Sequence, residues 1–316
     1  MTHTSCFGRF VGICCLTAAC CQVGAQTQPT VNGVAETYWF ADNNVRGAYE
    51  QLTWAEIKAR VDRHWSATWS GNDFGSISGF DESYVRYETD TGSLRAGRLR
   101  TSFGYSDWSE LLYNGINHRP LVREAALVGK TRLDRDDSGA EASANFGPLQ
   151  LQAAVIDTSL SRAQVGPDSL DHSTVTAQYC IGSIIFGAEG LSKTDFSEKI
   201  YGGSFRYTIP HWLFKGEYFE GVGPGNASGS YIDATYRIPF LVRSELCARF
   251  EELHTQAYDG GQENTQLQTL GFRYIFNKNL QANLNYGWGQ ELEYSGYANN
   301  LGLAGWTARV MFQVQF

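Results

Sequence analysis

The sequence predicts an all-β chain, a transmembrane antiparallel β-barrel of about sixteen strands. Three observations predict it. From Thr30 onward, apolar residues recur with a period of two in one segment after another, which is the period of a strand with one apolar face. The opposite parity carries Arg, Lys, Glu, Asp and Gln, and unpaired charges of that kind could not fill a dry core. Short turns alternate with longer loops, as in barrels that stand in a bilayer with short turns on one side. The end of the chain combines these features. Trp306, Ala308, Val310, Phe312, Val314 and Phe316 lie on one parity, and Thr307, Arg309, Met311, Gln313 and Gln315 on the other. A closing strand that ends in an aromatic residue fits the outer apolar band of such a barrel.

Composition agrees. The chain has 316 residues, 14% aromatic, with 34 Gly and only 7 Pro. Mean hydropathy is −0.31, which excludes a helical membrane protein but not a barrel, whose alternating faces keep the average polar. The formal charge of −8 makes nucleic acid a poor partner. Residues 1–25 read as a secretory leader: Arg9 is the basic start, Val11 to Cys21 the apolar stretch, and Val23-Gly24-Ala25 the small-residue cleavage site. Leu16-Thr17-Ala18-Ala19-Cys20 also loosely resembles a lipidation site, with its leucine one position too far from the cysteine. Residues 26–316 then form one barrel domain. Five of the seven Cys fall in the leader, so this is no disulfide scaffold.

In chain order, Thr30 to Ala41 and Tyr49 to Val61 form the first pair across a loop from Asn43 to Ala48, and Asp62-Arg63 turns the chain into the next strand. Trp65, Ala67 and Trp69 face out on the next strand, a loop spans Gly71 to Asp81, and Glu82 to Thr89 returns. Asp90-Thr91-Gly92 is a tight turn before Ser93 to Phe103. After a long interruption, Ala140 to Phe146, a Gly147-Pro148 turn and Leu149 to Val155 restore the rhythm. A loop from Asp157 to Ser173 precedes Thr174 to Ile181, with a Gly182-Ser183 turn into Ile184 to Ala188. Ser192 to Lys199 is a loop. Tyr201 to Ile209 and Trp212 to Tyr218 meet at Pro210-His211, and Val222 to Ser230 is a Gly-rich loop. Ile232 to Ile238 turns at Pro239 into a strand from Phe240 to Phe250. His254 to Thr265 is a loop, Leu270 to Phe276 turns at Asn277-Lys278, and Leu280 to Trp288 rises to the last loop, Gln290 to Ala304. An even count puts both termini on the short-turn side. A barrel of this size has room for an aqueous channel.

Gly104 to Ser138 has no period of two and is the longest connection, so it is the segment expected to fold into the lumen and narrow it. It carries Arg119, Arg123, Lys130, Arg132 and Arg135, and the strand before it carries Arg95, Arg98 and Arg100. A bulge at Gly97 would turn all three of the latter inward. Arginine keeps its charge at any relevant pH and binds phosphate or carboxylate bidentately, so such a row would guide anions. The competing reading pairs these cations with Asp134, Asp136, Asp137, Glu110 and Glu124, which would merely pin the segment to the wall.

Leu94-Arg95-Ala96-Gly97-Arg98-Leu99-Arg100-Thr101-Ser102-Phe103-Gly104 resembles the strand end that precedes the constriction loop of porins. Arg132-Leu133-Asp134-Arg135-Asp136-Asp137-Ser138-Gly139, with the hairpin to Asp157, is similar to the phosphate-selective porin O and P family of bacterial outer membranes. The specific part covers about residues 93–157. The resemblance implies a trimeric, sixteen-stranded, anion-conducting channel without cofactors. Its partners would be outer-membrane lipid, two further copies, and small hydrophilic solutes or anions such as phosphate.

Other chemistry is poorly supported. Asp134, Asp136 and Asp137 lack the spacing of a calcium loop, and His64, His118, His172, His211 and His254 are scattered over turns and loops. His172 beside Ser173, and His254 near Glu251 and Glu252, are the closest approach to a hydrolase and sit in no nucleophile elbow. The chain is therefore expected not to be an enzyme. Cys180 and Cys247 share the inner parity on distant strands and are expected to stay free thiols. The second reading of the whole is a structural or adhesive barrel plugged by its own long loop.

Overall fold

A computed structural model describes residues 29–42, 48–74, 77–100, 103–104, 116, 120–128, 133, 136–157, 170–256, 262–290 and 306–315. The expected leader, residues 1–25, lies outside the described residues. Sixteen strands are present, each antiparallel to its sequence neighbours. The first eight are β1 (Thr30–Asp42), β2 (Ala48–Arg60), β3 (Trp65–Phe74), β4 (Ile77–Glu88), β5 (Gly92–Arg100), β6 (Asp136–Phe146), β7 (Leu149–Asp157) and β8 (His172–Ile181). The rest are β9 (Ile184–Lys193), β10 (Lys199–Ile209), β11 (Trp212–Val222), β12 (Ala227–Arg237), β13 (Ser244–Gln256), β14 (Gln262–Asn277), β15 (Leu280–Gln290) and β16 (Trp306–Gln315). Among the described residues of the connection between β5 and β6 there is a short helix, α1 (Leu121–Glu124).

Pairing of β1 with β16 closes the sheet, Val34 opposite Gln315 and Ala41 opposite Ala308. Closure leaves no open edge to pair with another chain. It also fixes which parity faces which solvent, because a one-residue slip would turn every side chain round. Phe312, Leu284, Leu270, Phe250, Ile232 and Tyr218 point outward and remain exposed. Aromatic side chains gather on the outer wall towards the strand ends: Trp212 lies 4.5 Å from Tyr236, Trp65 4.9 Å from Tyr87, and Tyr286 5.8 Å from Trp288. An apolar band bounded by aromatics is the outer surface of a membrane barrel.

The strand order and the outward parity follow the predicted alternation, with register shifts between Trp69 and Gly71 and between Ile275 and Asn277, but several strands are longer than predicted. The loops expected at Gly71 to Asp81, Val222 to Ser230 and His254 to Thr265 are largely strand: β3 reaches Phe74, β4 starts at Ile77, β12 starts at Ala227, β13 reaches Gln256 and β14 starts at Gln262. Strand pairing is a backbone property and continues past the hydrocarbon. Beyond that edge both faces meet water, so the apolar period vanishes while the ladder goes on. A second correction concerns Phe240 and Val242, expected in a rising strand. They sit in the turn 238–243, where Pro239 withholds an N–H and Arg243 adopts φ 72°, so β13 begins only at Ser244.

Candidate functional site: the inner wall

The inner wall has two distinct regions. Towards the long-loop end, β9 to β14 present an apolar pad that includes Leu191, Ile200, Phe219, Tyr231, Leu253 and Leu267. The described part of the long connection packs against it through Phe103, Leu121, Val122, Ala125, Leu127 and Val128, all buried. Burying apolar side chains against a wall is worth about 25 cal/mol per Å² of surface removed from water.

Polar anchors set the position. Arg123 donates from Nε and Nη2 to the two carboxylate oxygens of Glu217 on β11, both at 2.8 Å, and its Nη2 also reaches the Phe103 carbonyl. This ion pair is 1% and 0% exposed. The guanidinium also stands 5.3 Å over the Phe219 ring. The backbone N–H of Leu121 donates to Glu251 on β13 at 2.8 Å, and that of Ala227 to the Leu127 carbonyl at 2.8 Å. Gly221 makes the last contact possible: a Cβ there would collide with the Leu127 carbonyl. Gly104, at φ 71°, likewise leaves room for the Arg123–Glu217 pair.

Arg95 stands on the inner face of β5. Its Nε and Nη2 donate to Glu141 at 2.8 Å, Nη1 lies 3.8 Å from Glu82, and Nη2 donates to the Arg100 carbonyl at 2.6 Å. The bulge expected at Gly97 is absent. β5 pairs without a register shift from Gly92 to Arg100 with β6, and through Gly97 opposite Tyr84 with β4. Gly97 instead takes φ 136° within the ladder, with the Ser83 carbonyl and Tyr84 so close that no side chain would fit. Alternation therefore holds, and Arg98, opposite Ser83, and Arg100 share the outward parity of Leu94 and Ala96. Arg119, Lys130, Arg132 and Arg135 lie outside the described residues.

Towards the short-turn end, the inner wall of β10 to β14 is rich in cations. One row runs Arg206, Lys215, Asp233, Arg249 across four strands, and a lower row runs Arg237, Glu245, Arg273. Arg249 donates to both oxygens of Asp233, at 2.5 and 2.8 Å. Glu245 accepts from both Arg237 and Arg273. Along these two rows five cations stand with two carboxylates, and Arg206 lies directly opposite Lys215. Like charges in that position oppose sheet pairing and are usually avoided. The sequence carries this signal as inner-parity cations on consecutive strands, outweighed there by the cluster of arginines between 95 and 135.

The remaining groupings do not converge. His172 is buried on the inner face with Asp171 at 2.8 Å, whereas the neighbouring Ser173 is exposed on the outer parity. His254 meets Asn264 at 2.6 Å. Cys180 and Cys247 are free. Among the described residues no group of three or more His, Cys, Asp or Glu is placed to hold a metal.

No protein-family model matches the chain, and no curated protein matches it. Solved structures do. Salmonella typhi OmpF in complex with daunomycin superposes with a TM-score of 0.70 at 13% identity, over 93% of this chain and 99% of that one. A mutant porin of Rh. blastica gives 0.66 at 11% identity, over 91% and 100%. The trimer form of OmpT, an outer membrane protein of Vibrio cholerae, gives 0.63 at 12%, over 91% and 99%. The likeness is to porins in general and does not single out the phosphate-selective porin O and P family. The chain has the closed sixteen-stranded fold of bacterial outer-membrane porins.

Proposed function

We propose that this protein is a passive porin of the bacterial outer membrane, exported by the leader of residues 1–25 and assembled as a homotrimer. It would admit small hydrophilic solutes with a mild preference for anions such as phosphate. The observation that carries this reading is the pairing of an apolar outer wall with a charged inner wall in a barrel of sixteen strands. Charged side chains on that scale are tolerated because the lumen is wet. The anion preference rests on the excess of cations around Asp233 and Glu245, since local charge in the pore governs which ions pass. Arg95 and Arg123 are held by acids and serve mainly to fix the wall and the long connection.

The test is the reversal potential of the reconstituted barrel in a planar bilayer under a salt gradient, with and without added phosphate. A modest anion preference is expected, turning towards cations in Arg206→Glu with Lys215→Glu. Cation selectivity in the unmodified protein would overturn the anion preference and leave a general porin. Failure of the folded barrel to conduct would replace this reading with the plugged structural barrel, which the tight seating of residues 120–128 on the wall favours.

A further inference from the structure

The turn from 238 to 243 is unlike the other connections at its end of the barrel. It uses six residues between β12 and β13, where the other short-end turns use two to four. Three consecutive side chains at its tip are large and apolar. Phe240 is 87% exposed, Leu241 43% and Val242 74%. Among the other short-end turns, only Val61 is comparable in kind.

This turn is ordered, not frayed. Leu241 N–H donates to the Ile238 carbonyl at 3.3 Å, Ser244 N–H to Leu241 at 3.0 Å, and Ile238 N–H to Ser244 at 3.0 Å. Pro239 occupies the second place of the first of these turns, the position its fixed φ suits. Ile275 N–H donates to the Arg243 carbonyl at 2.9 Å, which ties the end of the turn to β14. Its apolar tip is therefore presented in a fixed shape. Leaving such side chains in water is unfavourable relative to burying them.

We propose that the 238–243 turn is an interfacial anchor, with Phe240, Leu241 and Val242 seated among the phospholipids of the periplasmic leaflet. This rests on the reading of the barrel as membrane-spanning. The turn is continuous with the lipid-facing wall: it lies directly beyond Tyr236, which packs against Trp212, and beside β14, where Tyr274 and Phe276 pack 4.8 Å apart. Ile238 and Ser244 continue the outward parity of their strands, yet are 8% and 0% exposed, which fits a turn that curls over the outer rim. Arg243, whose guanidinium donates to the Phe276 carbonyl, and, on the adjacent turn, Lys278 are exposed cations beside the tip. Apolar side chains backed by cations are the build of an interfacial segment. The occupant that fits is an anionic phospholipid, not a soluble partner, because the tip adjoins a surface already in lipid.

The test is photocrosslinking of the full chain folded into vesicles of phosphatidylethanolamine and phosphatidylglycerol. The benzophenone amino acid p-benzoylphenylalanine replaces Phe240, Phe250 on the outer wall, or Asp90 on another short turn. Lipid adducts at 240 as abundant as at 250, and none at 90, are expected from the anchor. Adducts at 250 without any at 240 would overturn the anchor alone, as would protein adducts at 240 when the same crosslinking is done in intact cells. Absence of lipid adducts at 250 as well would overturn the membrane reading on which the anchor rests. In a second measurement, Phe240→Asp with Val242→Asp should slow insertion into the same vesicles while leaving the folded barrel's heat-modifiable migration on gels intact. Unchanged insertion would also overturn the anchor.

Discussion

Arg123 joins two segments distant in sequence, and its role depends on complete burial. Its carboxylate partner Glu217 is equally buried, so removing one member strands the other charge without water. Breaking a buried pair typically costs about 3–5 kcal/mol, whereas replacing both members with apolar residues costs far less. Arg123→Leu should therefore lower the denaturant midpoint of the reconstituted barrel strongly, and Arg123→Leu with Glu217→Leu should recover most of the loss. Equal damage from the single and double variants would show that the pair does not act as a unit. Asp62, in the turn between β2 and β3, offers a pH-dependent counterpart. It accepts the N–H groups of His64 at 2.6 Å and Trp65 at 2.8 Å, which hold its carboxyl below the usual carboxylate range. A lowered folded pKa gives stability that is present above the unfolded value, about 3.9, and lost as pH falls through the folded one. The gap in thermal midpoint between the wild type and Asp62→Ala should thus persist at neutral pH and close in acid. A gap independent of pH would assign it to the loss of turn geometry alone.

Among elements, the glycines separate the wall from what docks on it. Gly221 lies in β11 with ordinary strand backbone, so a β-branched residue suits the strand itself. What it obstructs is the Leu127 carbonyl of the docked connection. Gly221→Val should leave the barrel folded, judged by heat-modifiable migration on gels, while raising open-channel noise in bilayer recordings as the connection loses its seat. Unchanged current would mean that the connection does not border the conducting path. Gly97 is the opposite case. Its φ of 136° is a backbone demand within β5, so Gly97→Val should impair folding itself. The sequence marked Gly97 as a special position but not for the right reason. A bulge and a positive φ in an unbroken ladder leave the same single glycine in the chain. They aim Arg98 and Arg100 at opposite solvents.

At the scale of the whole molecule, closure is maintained by side chains as well as by the ladder. On the inner face of the seam, Gln313 on β16 donates to Glu36 on β1 at 2.8 Å and accepts from Gln281 on β15. Gln313→Leu should slow barrel closure in refolding more than Gln178→Leu on β8, far from the seam. Equal rates would assign closure to backbone pairing alone. The homotrimer is open to a direct check: unheated gels and chemical crosslinking of the detergent-extracted protein should give a band of three chains. A monomer under mild extraction would remove the trimer and leave the barrel reading untouched.

The sequence by itself determined the strand count, the hairpin order, the side of each residue in the apolar band and the isolation of the two thiols. These follow from local rules: a period of two where one face meets hydrocarbon, and Gly, Pro or Asn where the chain must turn. It is silent where both faces meet water, so strand ends beyond the band read as loops, and a turn tip such as Phe240 reads as strand. Only the tertiary structure decided which charges meet. Arg123 finds Glu217, 94 positions away, and Leu121 finds Glu251, 130 positions away, because closing the sheet brings distant strands round one lumen. Periodicity along a chain tells which face a side chain occupies. What stands across the lumen is set by the curvature and closure of all sixteen strands together.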